Sequence, residues 1–395
     1  MVCVLGLVIA SMRAAEVLRH VSGRLLARGR EGADSALVDR TLVLHGARVH
    51  HRVGGLAISV LEVPEASSEA VLQSLRQTGV FEFVEYDSYA HTAAEIPNDP
   101  SYGAQWHLAK IQSPGAWSVT TGSAAVVVAV IDSGVYGIHP DLMPKLVAGW
   151  NFVDSTANTT DQLGHGTAVA GTVAAASNNG IGVAGVSWAS RIMPLVVVDA
   201  NDLAAYSDLA AAVVFAVDHG VRVINISAGG PDSSLALQAA VDYAWSKGAV
   251  IFASAMNNGV ATPYYPAACE HVVAVSATDS NDHLAAFSNY GNWITLAAPG
   301  TNILTTMNGG GYGYWFGTSF ASPIVAGVAA LCLAVNPSLT NAELVALLED
   351  SADDLGAPGY DTAFGWGRVN AYRAVRLAAP ASPPARRTPR RYPSR

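Results

Sequence analysis

Between residues 100 and 377, five near-continuous apolar segments alternate with Ala-rich stretches: Ala125–Ile131, Arg191–Val198, Val221–Ile226, Ala249–Ala255 and Val272–Ala277. A strand that is apolar on both faces must be covered on both, which is the condition of a parallel sheet between two helix layers. The fold class expected is therefore α/β, a mostly parallel sheet with helices on both faces. In such sheets ligands bind beyond the carboxyl ends of the strands, so polar residues at those ends are the first place to look for chemistry.

The composition agrees with a large buried core: 51% of the 395 residues are hydrophobic and only 13% charged. A net charge of -9 argues against a nucleic-acid partner. No apolar run is read as reaching the roughly 18 residues of a membrane span. Val2–Ala10 is apolar, but no Lys or Arg precedes it and no clean A-x-A site follows. Residues 1–21 are thus read as a possible, truncated leader, and export as the expected fate. The cysteines Cys3, Cys269 and Cys332 show neither a disulfide framework nor a zinc spacing. Cys332 lies in an apolar helical stretch and reads as a small core residue.

Residues 23–91 have a different pattern. Strand candidates at Arg24–Ala27, Arg48–Val53, Leu56–Val63 and Phe81–Glu85 flank helical stretches at Ser35–Leu44 and from Ser67 to near Gly79. The order βαββαβ is that of a ferredoxin-like module, and a domain is placed at 22–92. His91–Asp99 is polar, contains proline and lacks periodicity, as linkers open to proteolysis do. The main domain is placed at 93–377. Residues 378–395, rich in Pro and Arg, read as a disordered tail; an anchor to an acidic surface is the other reading.

Three segments carry candidate chemistry. Phe316-Gly-Thr-Ser-Phe-Ala-Ser-Pro323 puts Ser319 just before the apolar helical stretch Ile324–Val335, near a helix N-terminus that favours developing negative charge. Val126–Ile131 ends on Asp132, a carboxylate at a buried strand end, which costs free energy unless paired. Gly164–Gly171 places His165 at the start of a small-residue helix. Taken singly, each could be only a cap or turn residue. Taken together they stand in the order Asp, His, Ser, at spacings of 33 and 154 residues, and that is one of the orders in which nucleophilic triads occur.

With these blocks in order, the chain resembles the subtilisin family of serine proteases, in particular its thermitase-like branch. The resemblance runs from Asn98 to Val375 and includes the ending Gly365-Trp-Gly-Arg-Val-Asn-Ala371. It implies a serine endopeptidase: Ser319 attacks a peptide carbonyl, His165 relays the proton and Asp132 orients the imidazole. Ala249–Gly259 resembles the strand that ends in the oxyanion-hole asparagine, here Asn257; a plain turn residue is the alternative. Ser227, Ala228 and Gly229 match one wall of the substrate channel and Leu203 and Ala204 the other, with an extended peptide expected between them as an added strand. Residues 22–92 resemble the family's inhibitory propeptide, so the partners implied are a polypeptide substrate and the chain's own propeptide, in a secreted monomer. A structural calcium ion is implied at Asp99, Asp141, Asn179, Ile181 and Val183, all oxygen donors of the kind calcium takes; an ordinary Asn-Gly turn is the alternative. A second calcium loop at 151–161 keeps Asp154 and Asp161 but lacks other carboxylates, and is not expected to bind.

Several positions depart from that pattern. Met256 stands where the family usually has glycine, and is expected to narrow the substrate pocket or shift the oxyanion hole. Phe320 replaces a methionine after the nucleophile, which implies better tolerance of peroxide. Ala168 and Ile324 each replace a histidine and are expected to pack together as apolar groups. Leu163 implies a more apolar cleft rim. Met256 also motivates a second reading, a catalytically weak binding protein on the same fold, and a third reading is an esterase.

Overall fold

The computed structural model describes residues 20–88 and 95–379, which fall into two compact units divided between Thr92 and Ala93. Most of the expected leader, and the tail from residue 380, lie outside the described residues; His20 and Val21 belong to the first strand and Ala378 to the last helix.

The first unit has the element order read from the sequence: β1 His20–Gly29, α1 Ser35–Leu44, β2 Arg48–Val53, β3 Ile58–Glu62, α2 Ser68–Gln77 and β4 Phe81–Ser88. Its four strands pair antiparallel in the order β2-β3-β1-β4. β1 is longer than the Arg24–Ala27 segment expected, because its ends, His20 and Gly29, pair with β4 beyond the stretch that pairs with β3. Leu25, Leu42, Leu61, Leu72 and Leu75 fill a core under the two helices.

In the second unit, short helices α3 Trp106–Lys110 and α4 Ser113–Trp117 precede β5 Val127–Asp132. There follow β6 Trp150–Asn151, α5 His165–Ala174, β7 Arg191–Val196, α6 Tyr206–Asp218, β8 Val223–Ile226, α7 Leu235–Ser246 and β9 Val250–Ser254. Then come β10 Val272–Thr278, β11 Leu296–Pro299, β12 Ile303–Thr306, β13 Tyr312–Trp315, α8 Thr318–Val335, α9 Asn341–Asp350 and α10 Ala371–Ala378. Seven strands form one sheet in the order β11-β10-β9-β8-β5-β7-β6, every pairing parallel. β12 and β13 make a separate antiparallel pair.

Side chains alternate between the faces of a strand, and this divides the core in two. Val128 and Val130 of β5, Val223 of β8 and Phe252 of β9 pack with α5, α8 and α10. Ala129, Ile131, Ile224, Ile226 and Ile251 pack on the other face with α6 and α7. Continuing the alternation, Asp132, Asn225 and Ser227 fall on the face that carries α5 and α8. Chain order also reverses at β5: β7 lies on one side of it and β8 on the other. A crevice at the carboxyl ends of β5 and β8 is therefore the expected ligand position.

α8 bears on the reading of apolar runs. Its 18 residues are long and apolar enough to cross a membrane, the one such helix among the described residues, but nearly all of it is buried in the protein core. Thr318, Ser319 and Ser322 in its first turns keep the apolar run in the sequence shorter than the helix itself.

Candidate active site

Asp132 ends β5 and is 1% exposed. Its Oδ1 accepts from the Ser133 backbone amide at 2.7 Å and lies 2.8 Å from His165 Nδ1. A carboxylate on Nδ1 fixes the tautomer that leaves Nε2 free to take a proton. Burial alone would lower the imidazole pKa. The charge and hydrogen bond of Asp132, with smaller contributions from Asp202 and Asp161, outweigh this and raise it above 6.5.

His165 is the first residue of α5, whose preceding residue, Gly164, offers no capping side chain. Asp161 serves instead. Its Oδ2 accepts from the Thr167 backbone amide at 2.8 Å and the Thr167 hydroxyl at 2.5 Å, and its Oδ1 accepts from the amides of Leu163 and Gly164 at 3.0 and 2.8 Å. Asp161 Oδ1 also accepts from Ser133 Oγ at 2.9 Å, and Ser133 Oγ accepts from the Gly166 amide. One buried carboxylate thus holds both the helix that carries His165 and the turn that follows Asp132. The approach is close: a Cβ on Gly166 would lie 2.2 Å from the Gly134 carbonyl and 3.1 Å from Asp132 Cβ.

Ser319 occupies the first turn of α8 and is 7% exposed. Its Oγ donates to the Ser227 carbonyl at 3.4 Å, not to the imidazole. The neighbouring Phe320 ring is 5.7 Å from the His165 ring, and the Trp315 ring stands edge-on to it at 6.3 Å. The helix start and the imidazole therefore share one aromatic-walled corner.

Asn257 follows β9. Its Oδ1 accepts from both the amide and the hydroxyl of Thr318, at 2.9 and 3.0 Å. A backbone amide can only donate, so this contact fixes which end of the side chain is oxygen and leaves Nδ2 as the outward donor. Gly317, at φ 135, makes room for it: a Cβ there would sit 3.2 Å from Asn257 Nδ2. Met256 adopts φ 70, a left-handed conformation that suits the glycine expected at this position. Its Sδ lies near Ser254 Oγ, and 3.5 Å from where a Cβ on Gly229 would be, so Met256 fills space against the Ser227–Gly229 wall.

Of the remaining channel residues, Ser227 is buried while Ala228 and Gly229 are half-buried after β8. Gly230 pairs with Tyr265. Ala204 pairs with Val198, and Leu203 is 66% exposed. Tyr206, just beyond, brings its hydroxyl to 2.7 Å from a Cβ position on Gly230, so the two segments face each other. Leu163 is exposed, whereas Ala168 and Ile324 are fully buried in one core layer.

The residues expected at a calcium site also converge. Asp99 and Asp141 are 4% and 0% exposed, and neither forms a salt bridge among the described residues. Asp99 accepts from the amides of Asn178 and Asn179; Asp141 accepts from Asn179 Nδ2 and the Val183 amide. Burial raises the Asp99 pKa; backbone hydrogen bonds oppose this and the charge of Asp141 adds to it. Two buried acids with oxygen-bearing neighbours suit a hard cation, although no group of three His, Cys, Asp or Glu gathers anywhere among the described residues. Asn98 and Asp99, read above as the end of a linker, are bonded into the 178–180 loop.

Sequence reasoning assigned no role at this site to Asp161, Ser133, Asn225 or Trp315. The signal for Asn225 was present: an amide in the middle of the buried run Val-Ile-Asn-Ile must have a partner.

Comparison with known proteins follows this geometry. The subtilase family model matches residues 123–367. A thermophilic serine proteinase of Bacillus sp. (strain AK1) is 43% identical over 308 residues, 78% of this chain and 76% of that protein. Thermitase of Thermoactinomyces vulgaris is 41% identical over 280 residues, 71% of this chain and 99% of its own length. Among solved structures, a protease of Pseudoalteromonas arctica PAMC 21717 aligns with a TM-score of 0.67 and 34% identity, covering 72% of this chain and 100% of that one.

Proposed function

The chain belongs to the subtilase family and is a serine-type endopeptidase, and from that premise we propose that Asp132, His165 and Ser319 are its triad and Asn257 its oxyanion donor. In the working rotamer Ser319 Oγ turns from the Ser227 carbonyl to His165 Nε2, which takes the hydroxyl proton as Oγ attacks the peptide carbonyl carbon. Asp132 stabilises the imidazolium, which then protonates the leaving amine. The Ser319 amide and Asn257 Nδ2 donate to the oxyanion in the tetrahedral intermediate. Water then reverses the sequence to release the acyl group. The observation that carries this reading is the 2.8 Å contact of the buried Asp132 with His165 Nδ1, on the sheet face shared with the start of α8.

The substrate is an extended polypeptide lying between residues 203–204 and 227–229. Residues 22–92 act as a propeptide removed by a cut between 91 and 98, and the mature enzyme works outside the cell. Calcium is held by Asp99, Asp141, Asn179 and the carbonyls of Ile181 and Val183; it neutralises the two buried acids and takes no part in catalysis.

The test is incubation of the full chain with a fluorophosphonate probe, peptide mapping, and N-terminal sequencing of the products. Label on Ser319, with a new terminus between 91 and 98, is expected. A folded protein that neither labels nor trims itself would refute the triad, and would favour the binding-protein reading that Met256 suggested.

A further inference from the structure

In a regular helix the carbonyl of Ser319 would accept from the amide four residues on. That residue is Pro323, which has no N–H to donate. The backbone of the candidate nucleophile is therefore deprived of its helical partner. Ser227 supplies one: its Oγ donates to the Ser319 carbonyl at 2.9 Å. Ser227 Oγ in turn accepts from Asn225 Nδ2 at 3.0 Å, and Asn225 Oδ1 accepts from Ser322 Oγ at 2.7 Å. Asn225 and Ser322 are fully buried and Ser227 nearly so. The chain of bonds starts in the first turn of α8, crosses to β8 and returns to α8.

We infer that Asn225 and Ser227 are positioning residues for the nucleophile: the Ser227 hydroxyl, aimed by Asn225, replaces the helical donor that Pro323 removes and so fixes where Ser319 sits. The inference rests on the reading of Ser319 as nucleophile. An unpaired buried carbonyl is costly, so without the hydroxyl the first turn of α8 shifts to find another partner. A shift below 1 Å at the attacking atom is enough to slow chemistry while leaving peptide binding in place. Asn225 suits the task because its amide donates to Ser227 from Nδ2 and accepts from Ser322 at Oδ1, two separate atoms with opposite roles, whereas an ionised carboxylate could only accept.

The experiment compares the full chain with Ser227→Ala, Pro323→Ala and the double variant. It reads the rate of fluorophosphonate labelling of Ser319, and kcat and KM on a peptide anilide. Ser227→Ala is expected to slow labelling and kcat about tenfold, with KM changed less than about twofold. Pro323→Ala returns an N–H to the Ser319 carbonyl, so in the double variant most of that loss is expected to come back, a coupling that simple destabilisation would not produce. Ser227→Ala labelled at the wild-type rate, or a loss that Pro323→Ala does not relieve, would overturn the inference. Should Ser227→Ala fail to fold, Ser322→Ala, which frees Asn225 Oδ1, is read the same way: slower labelling supports the inference and an unchanged rate refutes it. Wild-type chain that does not label removes the nucleophile reading, and this inference with it.

Discussion

The Thr318 amide and hydroxyl both donate to Asn257 Oδ1, at 2.9 and 3.0 Å, and so fix which end of the Asn257 side chain is oxygen and leave Nδ2 as the donor beside the start of α8. Asn257→Ala removes that donor. Turnover is expected to fall about 10²–10³-fold with KM little changed, the loss seen when a subtilisin loses such a donor. Thr318→Val, which keeps the amide but not the hydroxyl, is expected to give a smaller drop. Steady-state kinetics on a peptide anilide check both.

Met256 holds a left-handed backbone that costs a residue with a Cβ about 1–2 kcal/mol. Met256→Gly relieves that cost and opens the space against Gly229. Cleavage after large side chains is expected to rise relative to cleavage after small ones. A peptide library profiled before and after the change checks the shift, and an unaltered profile would show that Met256 does not line the pocket.

Asp161 acts on His165 through charge as well as by capping its helix. The raised imidazole pKa means that the protonated, inactive base persists above pH 6.5, so the acid limb of kcat/KM should lie above that value. Asp161→Asn removes one of the charges that raise it, and the limb is expected to move to lower pH. The same change weakens the cap, so Tm should fall by the few degrees that about 1 kcal/mol represents.

On the proposal that Asp99 and Asp141 hold calcium, its removal leaves both carboxylates buried without a counter-charge. EDTA is expected to lower Tm, and added calcium to restore it with an increment that grows with the logarithm of its concentration. Asp141→Asn should abolish the increment. Calorimetry with and without the ion checks this.

Peroxide should spare the position beside the nucleophile, since Phe320 is aromatic and 1% exposed. Phe320→Met is expected to inactivate faster in peroxide than the parent. Equal rates would trace the damage elsewhere, with the half-buried Met256 the first place to look.

The main architecture was legible because buried parallel strands leave unbroken apolar runs: all five segments read from the sequence are strands of the large sheet. β6, β11, β12 and β13 were not, being two to four residues long, too short to show a period. Asp132 and His165 were legible as types at strand and helix ends. Asp161 was read only as a remnant of an ion loop, because its bond to Ser133 spans 28 residues and nothing local announces it. Asn225 is the plainest case. Its position demanded a partner, but Ser322 is 97 residues away, and only the packing of α8 on β8 brings the two together.

The parallel sheet also governs how the molecule lasts. Val127 pairs with Arg191 and Val128 with Val223, so no strand of that sheet can find its neighbour by a short hairpin. Such distant pairings make refolding slow. A molecule that opens stays open long enough to meet closed, working copies, and becomes their substrate. Where cleavage outpaces reclosing, loss of activity on storage should then be first order, at the rate of opening, and only in dilute solution, where an open molecule recloses before it is met, should it slow and turn second order.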